Sequence, residues 1–413
     1  MSKNTTRQPL RASDLRAATQ LVTQATLGIA HLAEGVHQSV WGTLGVGDRA
    51  AGHTSGITAL VYAAMRGVTR LAGRGVDAAL TKLEPWLASA DAAPPESAQR
   101  EAVLAALNGV LGDHLAASGN PLATPMSLRF EGQALHRQAM PAKAQVTGKV
   151  LVLAHGLCMN DLQWAGHGPA LAAALGCTPV YARYNSGLHT SDNGTALCGQ
   201  LAQLAAHWPV PLQELSLLGH SMGGLVIRSA VHTAQQQQAV WLTALKNIVF
   251  LGTPHHGAPL EKAGNWIDVL LGSTPYSKPF AKLGQLRSAG ITDLRYGHIL
   301  AQDWQGQDRF RRQSDRRTPV PLPEPVTCFT VAATLAAKRS LLAERSLGDG
   351  LVPLPSALGQ HADARHRLAF AKASQCIAYR TSHMQLLSSP VVTQQLIDWL
   401  RPASARGHAM QGH

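Results

Sequence analysis

Residues 215–227 read Leu-Ser-Leu-Leu-Gly-His-Ser-Met-Gly-Gly-Leu-Val-Ile, an apolar run broken by Gly219-x-Ser221-x-Gly223 and resumed at once on the far side. A strand that runs straight into a helix holds the residue at the turn in a strained conformation, and small neighbours let the turn close. Gly219, Gly223 and Gly224 supply that room. The flanking strand and helix patterns carry more weight than the three-letter spacing, which arises by chance in a chain with 38 glycines. The segment predicts a parallel strand, a sharp turn that exposes Ser221, and a helix.

Other strand-like runs are Lys149–Ala154, Pro179–Tyr184, Asn247–Leu251, Thr327–Ala332 and Cys376–Tyr379, with shorter extended pieces at 127–135 and 136–140. Helical periods lie between most of them. Continuous apolar strands alternating with helices predict a mostly parallel sheet covered on both faces, an α/β fold. Residues 259–326 are too long for a simple connection, and long insertions above such a sheet are usually functional. Candidate helices fall there at 260–271 and 280–287, and the segment reads as a lid-like insertion.

Ahead of the sheet, Leu15, Ala18, Val22, Ala25, Ile29, Leu32 and Val36 recur three or four apart, and Ile57, Leu60, Ala64, Val68 and Leu71 mark a second helix. Arg66, Arg70 and Arg74 line another face of the second helix. The plain expectation is packed helices with a solvated arginine face; the sharper one is peripheral contact with a membrane or lipid granule. A helical period over 100–115 stops at Gly119-Asn120-Pro121. The expected organisation is therefore a helical extension over 1–120, a catalytic domain over 121–401 and a disordered tail over 402–413.

The 413 residues allow one large α/β domain plus an extension, and the formal charge of +12 invites anionic surfaces. No motif supports nucleic acid. The five cysteines, at 158, 177, 198, 328 and 376, include no Cys-x-x-Cys pair. Neither a secretory signal nor a run of roughly 18 apolar residues is visible, so a cytoplasmic protein is expected, with peripheral lipid association as an extra.

A serine hydroxyl is a weak nucleophile, so Ser221 needs a base in reach and an acid to orient that base. The expected base is His383, in the loop after the last strand. For the acid, Asp349 in Gly348-Asp349-Gly350 is preferred, with Glu344 and Asp363 as alternatives in the same interval. A tetrahedral intermediate also needs two backbone N–H donors. Met222, which follows the serine, and Leu157, in the turn His155-Gly156-Leu157, are expected to provide them. His155, Gly156, His255 and His256 are candidate substrate-binding residues, with the His155 side chain expected to brace its turn. Two adjacent histidines without a spaced third ligand are a weak metal signal, and no metal is expected. Cys158 reads as wall.

Taken together, Ala154-His-Gly-Leu-Cys-Met159, Gly219-His-Ser-Met-Gly223, Leu251-Gly-Thr-Pro-His-His-Gly257 and Gly348-Asp-Gly-Leu-Val-Pro353 with His383 resemble the α/β-hydrolase superfamily. Within it they are similar to bacterial triacylglycerol lipases and the PGAP1-like, GPI inositol-deacylase group. The resemblance covers about 149–400. It implies a Ser221, Asp349, His383 triad, oxyanion donors at Leu157 and Met222, and no cofactor. The expected activity is hydrolysis of carboxylic esters, lipid or acyl esters first. Acyl transfer through the same triad, or lipid-surface binding with a vestigial hydrolase domain, are the alternatives.

Overall fold

The structure is a computed structural model that describes residues 98–258, 288–306, 315–337 and 348–401. The two helices expected within 15–74, those expected at 260–271 and 280–287, and the tail after 401 lie outside the described residues.

Eight strands form one sheet: β1 (Ser127–Phe130), β2 (Gln133–Ala134), β3 (Lys149–Ala154), β4 (Thr178–Arg183), β5 (Glu214–His220), β6 (Leu245–Leu251), β7 (Thr327–Thr334) and β8 (Gln375–Tyr379). Their order is β2-β1-β4-β3-β5-β6-β7-β8. From β4 to β8 every pairing is parallel, while the short β1–β2 hairpin lies antiparallel at one edge. The long parallel strands sit where the apolar runs predict them.

Among the described residues seven α-helices accompany the sheet: α1 (Ala98–Ala117), α2 (His167–Leu175), α3 (Thr190–His207), α4 (Met222–Gln236), α5 (Ala289–Tyr296), α6 (Leu354–Ala357) and α7 (Pro390–Leu400). Alternation along the strands divides the core between two faces. Val150, Val152 and Ala154 of β3 pack with Leu197 and Leu201 of α3 and Leu225 and Val226 of α4. Leu151 and Leu153 point the other way, to Leu171 of α2 and Val392, Leu396 and Leu400 of α7. The start of α7 is built into its sequence: Ser389 caps the Val392 N–H and Pro390 stands at the first helical position.

Residues 98–116 form one compact unit with residues 123 onward. The helix expected at the end of the extension thus belongs with the sheet. Its apolar residues are not gathered on one face, and polar contacts do much of the docking. Glu101 meets Arg183 at the end of β4 at 2.8 Å, and Arg183 also pairs with Asp161. The Asn160 amide donates to the Glu101 carbonyl at 3.1 Å. Among the described residues no helix is long and apolar enough to cross a membrane.

Candidate active site

Six parallel strands end at the carboxyl edge of the sheet, where ligands bind in open parallel sheets. β5 ends in the turn at Ser221, whose backbone has φ 53° and ψ −121°. Such a conformation costs a non-glycine residue on the order of 1–3 kcal/mol and persists only where its surroundings impose it. Two contacts do so: the Ser221 N–H donates to the Leu251 carbonyl at 2.8 Å, and α4 begins immediately after. The close turn explains Gly219, since a Cβ there would fall 2.5 Å from the Gly224 nitrogen.

His383 follows β8 and is 1% exposed. Its Nδ1 lies 2.7 Å from Asp349 Oδ2, and its backbone N–H donates to the Asp349 carbonyl at 3.0 Å. The other carboxylate oxygen accepts from the N–H groups of Leu351 at 2.9 Å and Val352 at 2.7 Å. Asp349 is therefore locked as an acceptor, which puts the imidazole proton on Nδ1 and the lone pair on Nε2. That Nε2 is buried and has no partner among the described residues.

The His383 ring stands beside the end of β6: a Cβ on Gly252 would lie 3.2 Å from its Cε1 and Nδ1. His220, next to the serine, packs its own ring 4.7 Å from that of His383 and uses Nε2 to donate to the His383 carbonyl at 3.2 Å. Burial, and secondarily His383, holds the His220 imidazole well below its ordinary pKa, so it stays neutral. Sequence reasoning overlooked His220 as a support for the base. No local signal joins it to His383, 163 residues further on.

On the other side, the turn after β3 comes against the serine; a Cβ on Gly156 would stand 3.2 Å from Ser221 Cβ. The His155 ring stacks on Tyr184 at 4.1 Å. The Tyr184 N–H donates to its Nε2 at 3.3 Å, so Nδ1 carries the proton and donates to the Gly156 carbonyl at 2.9 Å. Burial pulls this imidazole down to about 4. His155 braces the turn, as its surroundings in the sequence suggest, and is 1% exposed. Neither Leu157 nor Met222 spends its backbone N–H on a hydrogen bond among the described residues.

Cys158 has φ 58° and its N–H donates to Ser186 Oγ at 3.0 Å. Burial raises its thiol to about 12, which leaves it unreactive. Of the alternative acids, Asp363 caps a short 3-10 turn and pairs with exposed Arg365, and Glu344 lies outside the described residues. His255 is fully enclosed between Phe250 and Phe370, and both His255 and His256 line a separate pocket with Arg228. The apolar ring pair fixes His255 inside the core, which the motif could not show. Among the described residues no group of three or more His, Cys, Asp or Glu side chains could hold a metal ion.

A parallel sheet, a strained serine between β5 and α4, and a buried His–Asp pair on later loops define an α/β-hydrolase fold. Residues 201–318 match the model of the PGAP1-like alpha/beta domain family. Among solved structures, the chain is similar to the Bacillus licheniformis lipase BlEst2 in mature form, at 18% identity and TM-score 0.42, over 68% of this chain and 100% of that one. Aspergillus fumigatus lipase B is matched at 12% identity and TM-score 0.39, over 63% and 55% of the two chains. A search of curated proteins by sequence returned no match.

Proposed function

We propose that this protein is a serine hydrolase that cleaves carboxylic esters, lipid or acyl esters in particular, through an acyl-enzyme. The observation that carries the reading is the His383–Asp349 pair, which leaves a buried, unpartnered Nε2 on the same sheet edge as the strained turn at Ser221.

In this reading Ser221 Oγ attacks the ester carbonyl carbon while its proton passes to His383 Nε2. Asp349, already saturated by Leu351 and Val352, stabilises the imidazolium without taking its proton. The carbonyl oxygen becomes an oxyanion and takes the free N–H groups of Leu157 and Met222. Collapse expels the alcohol, which collects the proton from Nε2, and water then repeats the sequence to release the acid. The ester class rests on the resemblance to lipases and PGAP1-like deacylases.

The test is hydrolysis of p-nitrophenyl esters from acetate to palmitate by wild type and Ser221→Ala, with fluorophosphonate labelling in parallel. Turnover and labelling that both vanish in a folded Ser221→Ala protein are expected. Ester turnover retained by the pure variant, or a folded wild type that neither labels nor turns over, would sink the proposal.

A further inference from the structure

Helix α4 carries a second polar group further along its length. Arg228, two turns beyond Ser221, is 8% exposed. Its Nη2 donates to the Val320 carbonyl at 2.7 Å, but its Nε–H is buried with no partner among the described residues. No carboxylate lies within ion-pair distance of it there. A buried guanidinium in this state is unusual, because an unmade hydrogen bond to a charged group is expensive.

The same pocket is lined by His255, His256, Asp303, Arg317 and Thr318. Both ring nitrogens of fully buried His255 lack partners among the described residues. His366 also lines the pocket, and the charges of Asp303 and Arg317 are spoken for. Asp303 accepts from the N–H groups of Thr318, Ile299 and Leu300. Arg317 pairs with Asp315 at 2.6 Å and donates to the carbonyls of His255 and Gly297. What remains unpartnered is Arg228 Nε–H and the ring nitrogens of His255 and His256, each neutral imidazole bringing one N–H donor and one lone pair, under the positive field of two guanidiniums. The space has room for a water-sized particle between these groups.

We propose that this pocket binds a single small monovalent anion of the size of chloride, held by Arg228 Nε–H and the ring N–H of His255. The site is distinct from the catalytic groups: none of its lining residues is Ser221, Asp349 or His383. It lies where residues 297–303 and 317–320 return to the core, so occupancy ties these returning segments to α4. Burial, with Arg317 second, already lowers the Arg228 guanidinium to about 10, a cost that a bound anion relieves. Asp303 opposes the anion, and its three backbone donors offset that effect.

The experiment is thermal unfolding of the full chain in sodium chloride against sodium gluconate at equal ionic strength. An anion that binds only the folded state raises the midpoint in a saturable way, by roughly 2 °C or more per tenfold increase above its dissociation constant. The rise is expected in wild type and in Ser221→Ala, and is expected to vanish in Arg228→Met. An identical chloride response in folded Arg228→Met overturns the proposal. Should that variant fail to fold, crystals of wild type soaked in bromide decide. An anomalous peak between Arg228 and His255 supports the site, and ordered water alone there refutes it.

Discussion

Asp349 is the residue whose loss separates geometry from chemistry most cleanly. In Asp349→Asn the side-chain oxygen can keep the Leu351 and Val352 N–H groups, so the turn survives. The amide NH2 would then face His383 Nδ1 and drive the proton to Nε2, the atom that must accept one. The expected result is a fall in kcat of about 10³–10⁴ with KM little altered and the unfolding midpoint within a few degrees of wild type. An unchanged kcat would remove Asp349 from the reaction. At this scale the sequence was informative about the strained turn at Ser221 and the loops that bring His383 to Asp349, because each sits in a short segment with its own local signature. It was silent on His220 against His383 and on His255 between Phe250 and Phe370. Those contacts join residues from separate segments, and no local period encodes them.

Among the elements, α1 was read as a helix but assigned to the wrong neighbours, since the Gly119-Asn120-Pro121 break looks like a domain boundary. Its docking is written in pairs distant along the chain: Glu101 with Arg183, Asn185 Nδ2 to the Gly112 carbonyl at 2.8 Å, and Ser288 Oγ to the Gly109 carbonyl at 2.7 Å. A glycine is required at 109, where a Cβ would fall 2.2 Å from Cys158 Sγ and 2.9 Å from the backbone of the same residue. The helix thereby sits on the turn that holds Leu157. Two ion pairs make a contrast. Glu101→Leu leaves Arg183 buried with one fewer partner and is expected to cost about 3 kcal/mol in urea unfolding. Arg365→Ala removes the exposed pair with Asp363 and should leave the midpoint unchanged. Equal effects would show that α1 is not held by its charge.

For the whole molecule, the histidines set the response to acid. His155 and His256 are lowered to about 4 by burial first, and burial also holds His220 and His255 well below their ordinary value. The unfolded chain protonates these rings near 6.5, the folded one only further down, so between those values the unfolded state binds more protons. Stability is therefore complete above pH 6.5 and is lost as pH falls toward about 4, by up to roughly 1.4 kcal/mol per pH unit for each ring. Urea midpoints at pH 7 and pH 5 check this; equal midpoints would contradict it. Sheet order was legible only as far as parallel strands, because apolar runs reveal which segments are buried and not which are neighbours.

The docking of α1 also bears on the order in which the chain can be made. Its partners Arg183 and Ser288 lie 82 and 179 residues further on than Glu101 and Gly109. On the ribosome the helix is synthesised first and finds its seat late, once β4 and then the segment around α5 have emerged. Until then a helix with no apolar stripe of its own must wait in solvent, and its scattered apolar residues, which make a poor seam for a wrong partner, suit it to that wait.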